Sequence, residues 1–355
     1  MPTCHVALIP GEDAAPEAFE PTVELLDGLG LDIAWRRPPV GASARDSHGS
    51  AFPDEARQCI DDSDTTFFGA TSGPSVAALF HLRWGKQTYA NVRPARFLEG
   101  ARSPLAQPEG LDLAIVRENL EDLYVFAEGD LESLAPAAIH SGTLRRPVHE
   151  LAPGRFAIKV ITEAGSERVL RFGFELARRR REQGRPGKLS VGTKHNMLPR
   201  SDGLFRDVSL RLAGEYPDIA FESLIVDDLA HRLVATPHSF DVLVLPNLYG
   251  DILSDAAAAL VGGLGLAPSG CFGDDYAYFE SAHGTAPDIA GRGIINPTAM
   301  ILSGVMMLEY LGFADAAHAL TRAVEAVYVE GRVLTPDQGG NASTRDFCAA
   351  VSARL

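Results

Sequence analysis

Two aspartates, Asp251 and Asp255, lie four residues apart in the stretch NLYGDILSDAAAAL, whose composition predicts a helix. Residues four apart share one helix face, so the two like charges repel each other. A hard divalent cation such as Mg²⁺ or Mn²⁺ would compensate this repulsion, because it prefers carboxylate oxygens. A solvated helix face is the simpler interpretation of such a pair. The apolar run Val242–Leu245 predicts a buried strand just before the helix, and open α/β sheets bind ligands at such junctions. The context therefore favours a site.

The segment from 81 to 102 is basic, although the chain as a whole carries a formal net charge of −15. Arginines form bidentate hydrogen bonds with carboxylates, so this reversal of charge predicts binding of a small acidic molecule. An exposed basic face is the alternative. A further arginine, Arg117, ends another predicted strand, and Tyr124 follows seven residues later. The two side chains could face the same cleft.

The composition limits the classes of function. A chain of 355 residues is long enough for two domains or lobes, and its negative charge argues against binding to nucleic acid or to anionic membranes. The sequence lacks a predicted signal peptide and a transmembrane run. Four scattered cysteines with no CxxC pair are typical of reduced thiols. We expect a cytoplasmic protein that acts on a small molecule.

The chain has the rhythm of an α/β protein. Apolar runs at Val6–Ile9 and Thr65–Ala70, separated by a predicted helix, indicate a βαβ unit and a parallel sheet. No GxGxxG follows the first strand, so a Rossmann dinucleotide site is not predicted. Residues 126–156 have broken periodicity and predict an arm or a long loop. The stretch Phe279–Gly291 is predicted as a loop too polar for the core, which could wrap a cofactor while Asp288 accepts hydrogen bonds from ribose.

Seven motifs carry a family resemblance: NVRPAR, VRENLEDLY, TKHNML, IVDDLA, NLYGDILSD, GGLGLAPSG and HGTAPDIAGRGIINPTA. With them the chain resembles the β-decarboxylating dehydrogenases, which include isocitrate, homoisocitrate, 3-isopropylmalate, tartrate and D-malate dehydrogenases. The match extends from Ile9 to about Phe347. The resemblance implies an NAD-dependent and metal-dependent oxidoreductase that acts on a CH–OH group.

The resemblance also implies a non-Rossmann, two-domain α/β fold of the isocitrate/isopropylmalate dehydrogenase type. Residues 1–97 and 262–355 would form a large, NAD-binding domain. Residues 98–261 would form a small domain for substrate, metal and dimerisation, with a protruding arm at about 126–156. The protein would be a homodimer whose active sites are shared between the subunits.

Individual roles follow from the same resemblance. Arg83, Arg93 and Arg117 would clamp the two carboxylates of a malate core. Lys194, from the partner subunit, would accept the proton of the substrate hydroxyl group, and Tyr124 would later donate a proton to carbon. The cation, Mg²⁺ or Mn²⁺, would be bound by Asp251, Asp255 and the partner's Asp227.

The cofactor would be NAD. The resemblance assigns its site to Thr71, Asn196, His283, Gly284, Thr285, Ala286, Asp288 and Asn296. A carboxylate at Asp288 favours NAD, because it would repel the 2′-phosphate of NADP.

The chain departs from the family pattern where the substrate's C3 substituent would bind. Isocitrate enzymes place Ser and Asn six and four residues before the first arginine, where this chain has Ala77 and Leu79. With Phe80 next, the substituent is predicted to meet an apolar or aromatic wall, and His81 is a polar exception. A carboxylate buried there would lack a partner.

We therefore expect oxidative decarboxylation of a (2R,3S)-3-substituted malate, either 3-isopropylmalate-like or an analogue from a specialised pathway. Four alternatives stay open: an isocitrate or homoisocitrate dehydrogenase, a phosphonomethylmalate dehydrogenase, a tartrate or D-malate dehydrogenase, and a non-catalytic regulatory subunit. The complete set of catalytic residue types argues against a regulatory subunit. A metal-dependent hydrolase would leave the NAD-type loop unexplained.

Overall fold

The structure, a computed structural model, describes residues 3–355. Within that range ten strands form one continuous sheet and two short strands form another. The strands are β1 Cys4–Ile9, β2 Ile33–Arg36, β3 Thr65–Phe68, β4 Ala90–Arg96, β5 Asp112–Glu118, β6 Glu128–Asp130, β7 Arg155–Ala157, β8 Lys188–Thr193, β9 Ala220–Ile225, β10 Val242–Leu245, β11 Pro268–Phe272 and β12 Ala277–Ser281.

The large sheet has the order β2–β1–β3–β12–β11–β4–β5–β10–β8–β9. Its two ends are parallel: β1 pairs with β2 and β3, β3 with β12, β10 with β5 and β8, and β8 with β9. In the middle, β11 is antiparallel to both β12 and β4, and β4 is antiparallel to β5. The strands β4 and β11 thus join two parallel halves into one sheet.

Eleven α-helices lie within the described range: α1 Ala15–Asp27, α2 Ala42–His48, α3 Asp54–Asp61, α4 Val76–Phe80, α5 Glu163–Glu182, α6 Ser201–Ala213, α7 Val226–Ala235, α8 Asn247–Leu260, α9 Thr298–Tyr310, α10 Ala314–Glu330 and α11 Thr344–Ser352. No helix among residues 3–355 is both long and apolar enough to cross a lipid bilayer.

Helices cover both faces of the sheet, which explains why its parallel strands are continuous apolar runs. In β5, Ala114 and Val116 pack in the core under α5 and α6, whereas Leu113 and Ile115 pack under α7 and α8. The predicted α/β class and the parallel pairing of the first strands are confirmed.

The prediction of a loop that begins at Phe279 is wrong for its first three residues. Phe279, Glu280 and Ser281 end the central strand β12 and are buried. The polar character misled the prediction because Glu280 has a buried charge partner, Arg83, whose Nη2 lies 3.5 Å from the carboxylate. The predicted arm, 126–156, contains the small antiparallel sheet of β6 and β7 together with 3₁₀ turns.

The helix α8 begins directly after β10 and is held at its start by Asp122, whose Oδ2 accepts a hydrogen bond from the Leu248 N–H at 3.0 Å. Gly250 then allows the first turn of α8 to pack on the end of β5. A Cβ at Gly250 would lie 2.7 Å from the Cβ and 2.8 Å from the Cγ of Arg117. The position of Arg117 under α8 therefore depends on this glycine.

We expect Gly250→Ala to lower the free energy of unfolding by at least about 1 kcal/mol, because overpacking outweighs the better helix propensity of alanine. Urea denaturation followed by circular dichroism measures this change. Gly142→Ala is the matched control, since Gly142 has open space around it, and its effect should stay within about 0.5 kcal/mol. Equal midpoints for the two variants would contradict the close contact.

Candidate active site

The three arginines that were predicted to bind carboxylates come together in the middle of the large sheet. Arg83 lies in a π-helical turn, His81–Gly85, that continues α4, whereas Arg93 lies in β4 and Arg117 near the end of β5. Arg93 and Arg117 are buried, and Arg83 is mostly buried. The charges of Arg93 and Arg83 both act on Arg117.

Each of the three guanidinium groups is oriented by a neutral oxygen atom. The anchoring bonds are Arg83 Nε to Tyr278 Oη at 3.1 Å, Arg93 Nη1 to Ser254 Oγ at 2.8 Å and Arg117 Nε to Asn247 Oδ1 at 2.9 Å. The Nη groups of the same arginines contact the carboxylates of Glu280, Asp251 and Asp255. In addition, the Nε of Arg93 is buried without a hydrogen-bond partner among residues 3–355.

Three carboxylates, Glu280, Asp251 and Asp255, lie within ion-pair distance of the three arginines. Burial and the charge of Arg93 lower the pKa of Arg117 to about 10, against the attraction of Asp251. Burial also acts to lower the pKa of Arg83, but Tyr278 and Glu280 outweigh it and raise that pKa. Burial thus disfavours the cationic form of Arg117, and an anionic ligand beside it would favour that form.

Asp251 and Asp255 face this cluster from α8. Both Oδ1 atoms lie 3.3 Å from Arg93 Nη1, and Arg117 Nη1 also donates to Asp251. Tyr124 Oη donates to Asp251 Oδ2 at 2.9 Å. Burial, followed by this hydrogen bond, raises the pKa of Tyr124, so the phenol keeps its proton and can act as an acid.

The single chain supplies two carboxylates for a cation at this place. Among residues 3–355 no group of three or more His, Cys, Asp or Glu side chains is arranged to hold a metal ion. The predicted third ligand, Asp227, starts α7 and forms a separate pair with Lys194, whose Nζ lies 2.5 Å from Asp227 Oδ1. This contact lowers the pKa of Asp227. The two oxygen donors from α8 suit a hard divalent cation that keeps several waters.

A buried ionic cluster lies beneath the site and was not identified from the sequence. Lys159 Nζ lies 2.7 Å from Asp202 Oδ1 and 3.4 Å from Asp122 Oδ1, and both carboxylates are fully buried. The Lys194 N–H donates to Asp202 Oδ2 at 2.6 Å. Because Asp122 also holds the start of α8, the cluster links the Tyr124 loop, the aspartate helix and the Lys194 turn.

The residues predicted around the C3 substituent point in different directions. Leu79 packs into the core with Ile60 and Phe68, whereas Phe80 is exposed. His81 Nε2 lies 2.9 Å from Asp61 Oδ1, so the structure directs this histidine to α3 rather than to the arginine cluster.

The predicted nucleotide loop borders a cavity of about 420 Å³. Four of the predicted residues line it: His283, Gly284, Ala286 and Asn296. Burial lowers the pKa of His283, which keeps the ring neutral. Its Nε2 is buried and has no hydrogen-bond partner among residues 3–355. A cavity bounded by glycine, apolar side chains and the polar groups of Asn296 and Asp337 fits the adenosine part of NAD.

The other predicted cofactor residues are more dispersed. Thr71 donates its hydroxyl hydrogen to Glu12, and Thr285 Oγ1 lies 3.2 Å from Ser72 Oγ, so the Thr71 turn adjoins the nucleotide loop. Asp288 is exposed on this loop and does not line the cavity, and Asn196 is exposed beyond Lys194.

Several residues that orient the site escaped the sequence analysis, although some stand inside the quoted motifs. Asn247 opens NLYGDILSD and Asp122 lies in VRENLEDLY, but their partners are distant in sequence. Lys159 lies just beyond the predicted arm, where no local pattern marks it as buried. Tyr278 directly precedes the predicted loop Phe279–Gly291, and Glu280 lies inside it although it belongs to β12.

The comparisons with known proteins agree with the motifs. The family model described as isocitrate/isopropylmalate dehydrogenase matches residues 5–351. A 3-isopropylmalate/3-methylmalate dehydrogenase from Methanocaldococcus jannaschii is 38% identical over 350 residues, which cover 99% of this chain and 98% of that protein. An isocitrate/homoisocitrate dehydrogenase from Thermus thermophilus is 40% identical over 354 residues, which cover 98% of this chain and 97% of that protein.

The crystal structure of isocitrate dehydrogenase from Methylococcus capsulatus matches this structure with a TM-score of 0.86 at 37% sequence identity, and 99% of each chain is covered. The family resemblance and the fold class predicted from the motifs are confirmed.

We expect Lys159→Met to destabilise the protein by about 3–5 kcal/mol, because two fully buried carboxylates would lose their cation. Urea unfolding measures the loss. The control is Arg155→Met, which breaks the exposed pair of Arg155 with Asp130 and should cost less than about 1 kcal/mol. Similar effects of the two substitutions would refute the role given to the buried cluster.

A second buried carboxylate, Glu118, should make stability depend on pH. It ends β5 and accepts hydrogen bonds from the N–H groups of Leu120 at 2.9 Å and Glu121 at 2.7 Å. Burial nevertheless raises its pKa to about 7. The folded state therefore binds this proton more tightly than the unfolded state does. The resulting stabilisation is complete below about pH 4.5 and is lost as the pH rises to about 7.

We expect the unfolding free energy of the parent protein to fall by about 3 kcal/mol between pH 4.5 and pH 8 relative to Glu118→Gln, which cannot titrate. Chemical denaturation at several pH values measures this difference, and the other titrating groups cancel in it. A difference that stays constant with pH would show that Glu118 keeps an ordinary pKa.

Proposed function

Because the chain belongs to the isocitrate/isopropylmalate dehydrogenase family and is an oxidoreductase that acts on a CH–OH group, we propose that it oxidises and decarboxylates a (2R,3S)-3-substituted malate to a 2-oxo acid. The observation that carries this proposal is the cluster of three arginines opposite Asp251 and Asp255. A malate core has two carboxylates for the arginines and a hydroxyl group for a cation beside the aspartates.

NAD in the cavity beside His283 would accept the hydride from C2, and Mg²⁺ or Mn²⁺ on Asp251 and Asp255 would polarise the carbonyl oxygen that forms. The exposed carboxylate of Asp288 lies on the nucleotide loop and supports the choice of NAD, because it would repel a 2′-phosphate.

The chain's own residues would move two protons. Lys194 takes the hydroxyl proton as C2 is oxidised, and the bond between C3 and its carboxyl group then breaks to release CO₂. Tyr124 places its proton on C3, which balances the proton taken at the start. The raised pKa of Tyr124 supports this role, since the phenol stays protonated.

We further propose a homodimer in which the partner's Lys194 and the partner's Asp227 complete each site. Within one chain, Lys194 and Asp227 pair with each other rather than with the aspartates of α8. Large apolar side chains are exposed on the same segments of the chain: Met197, after Lys194, is 68% exposed, Val234, in the helix of Asp227, 59%, and Ile252, next to Asp251, 59%. A second subunit would cover such surfaces.

The proposed domains are residues 1–97 with 262–355 and residues 98–261. In support, one apolar core draws its buried residues from Val6 to Leu98 and from Leu266 to Val351. Another core draws its residues from Ala95 to Val261. The cleft with the arginines would lie where the two domains meet.

The arginine cluster fits the malate core, which several candidate substrates share. These are 3-isopropylmalate-like acids, isocitrate or homoisocitrate, phosphonomethylmalate, and the unsubstituted malate or tartrate type. A regulatory subunit is disfavoured, because the arginines, Tyr124, Lys194 and the aspartates are all present.

The test is NADH formation from a panel of 3-substituted malates with NAD and Mg²⁺ or Mn²⁺. We expect Lys194→Met and Arg93→Met each to lower kcat by about a thousandfold, because one removes the proton acceptor and the other a carboxylate clamp. No turnover of any malate by the parent protein would overturn the proposed reaction.

Hybrid dimers test the sharing of sites. A dimer of one Lys194→Met chain and one Arg93→Met chain, isolated through two different tags, should recover about half of the parent activity, because one of its two sites is intact. A dimer of Arg93→Met and Arg117→Met chains is the matched control. It should stay inactive, since each chain supplies both arginines to its own site and each site of this dimer therefore lacks one of them. An inactive first hybrid would place Lys194 in its own chain's site.

A further inference from the structure

Three aromatic rings meet beside the arginine cluster, and we call Phe80, Trp84 and Phe126 the aromatic wall. The ring centroids of Phe80 and Trp84 are 5.1 Å apart and the rings are perpendicular. Phe126 lies 5.6 Å from Phe80 and 5.9 Å from Trp84. These separations lie in the favourable range for aromatic pairs.

Phe126 contacts the other two rings from an unfavourable backbone conformation. Its φ of 55° and ψ of 28° lie in the left-handed region, which bulky residues avoid. Its side chain is also 61% exposed. Folding of the chain gains little from an exposed ring in this conformation, and such outliers cluster where a ligand binds.

Two members of the aromatic wall are close to catalytic groups along the chain. Phe126 follows Tyr124 by two residues, and Phe80, the last residue of α4, precedes Arg83 by three residues. Trp84 is fixed by a hydrogen bond from its Nε1 to the Leu120 carbonyl oxygen at 3.1 Å. A malate held by Arg83 with its C3 beside Tyr124 would direct its substituent to these rings.

The basic side chains nearby already contact other groups of the protein. Lys86 Nζ and His81 Nε2 lie 2.6 Å and 2.9 Å from the same carboxylate oxygen of Asp61. Arg57 lies over the ring of Phe52, 5.6 Å from its centroid, and lines a groove together with Phe80. A charged substituent would therefore meet rings rather than a cation.

We propose that the aromatic wall binds the C3 substituent and that this substituent is itself an aromatic ring, as in 3-benzylmalate. The inference rests on the proposed function and names its substrate class. A fourth ring gains area and edge-to-face contacts that an isopropyl group offers only in part. The reaction is the one given above, and with 3-benzylmalate it yields 2-oxo-4-phenylbutanoate and CO₂.

The kinetic test compares kcat/KM for 3-benzylmalate, 3-isopropylmalate, isocitrate and phosphonomethylmalate. We expect 3-benzylmalate to exceed each of the others by about tenfold or more. Phe126→Gly suits its left-handed backbone and removes one ring. It should lower kcat/KM for 3-benzylmalate about tenfold or more and bring the ratio of benzyl to isopropyl substrates towards one.

Ala138→Gly is the control, because Ala138 is another left-handed residue of the arm and lies outside the aromatic wall. It should leave the ratio unchanged. A preference for isocitrate or phosphonomethylmalate would overturn the proposal and point to the groove beside Arg57. An equal loss for every substrate in Phe126→Gly would also overturn it.

A binding measurement separates this inference from the proposed reaction. The chain has two tryptophans, so Trp35→Phe leaves Trp84 as the only one. Titration of this variant with 3-benzylmalate should change the tryptophan emission, and adding Phe126→Gly should weaken the apparent affinity about tenfold. If 3-benzylmalate binds in this way but no malate is turned over, the proposed reaction fails while the aromatic wall stands. An unchanged emission up to saturating ligand would overturn the aromatic wall.

Discussion

Burial of three guanidinium groups in one cleft is the constraint on which the arrangement of the site depends. Arg83, Arg93 and Arg117 share a poorly solvated environment, and burial, followed by the charge of Arg93, lowers the pKa of Arg117. Asp251 and Asp255 of α8, together with Glu280 beside Arg83, match the three arginines in number. A cation bound to the aspartates would free the arginines for an acidic ligand.

A second layer of buried charge makes this arrangement rigid. Asp122 and Asp202 bind backbone N–H groups at the start of α8 and at Lys194, and Lys159 lies within ion-pair distance of both carboxylates. The residues that would exchange protons and bind the cation are thereby tied to one network rather than to separate loops. The partly exposed pair of Lys194 and Asp227 is different, since solvent screens it and a partner subunit can rearrange it at little cost.

The arginine cluster and the aromatic wall differ in chemistry. The arginines pair with carboxylates, whereas Phe80 and Phe126 contact other rings, and the nearby Lys86 and His81 both lie against one carboxylate, Asp61. Such a contrast discriminates in both directions, because a charged group at the aromatic wall and an apolar group at the arginine cluster would each lose solvation without gaining a partner.

The sequence by itself determined the residue types that carry chemistry, the helical spacing of Asp251 and Asp255, and the α/β class, because side-chain chemistry and hydrophobic periodicity are local properties. The seven motifs were also sufficient to identify the family. Only the tertiary structure decided which of these residues meet. The prediction placed Glu280 in a polar loop, because its burial depends on Arg83, 197 residues away. In the same way, the roles of Lys159 and Phe126 arise from contacts between segments that are distant along the chain, and no local pattern encodes such contacts.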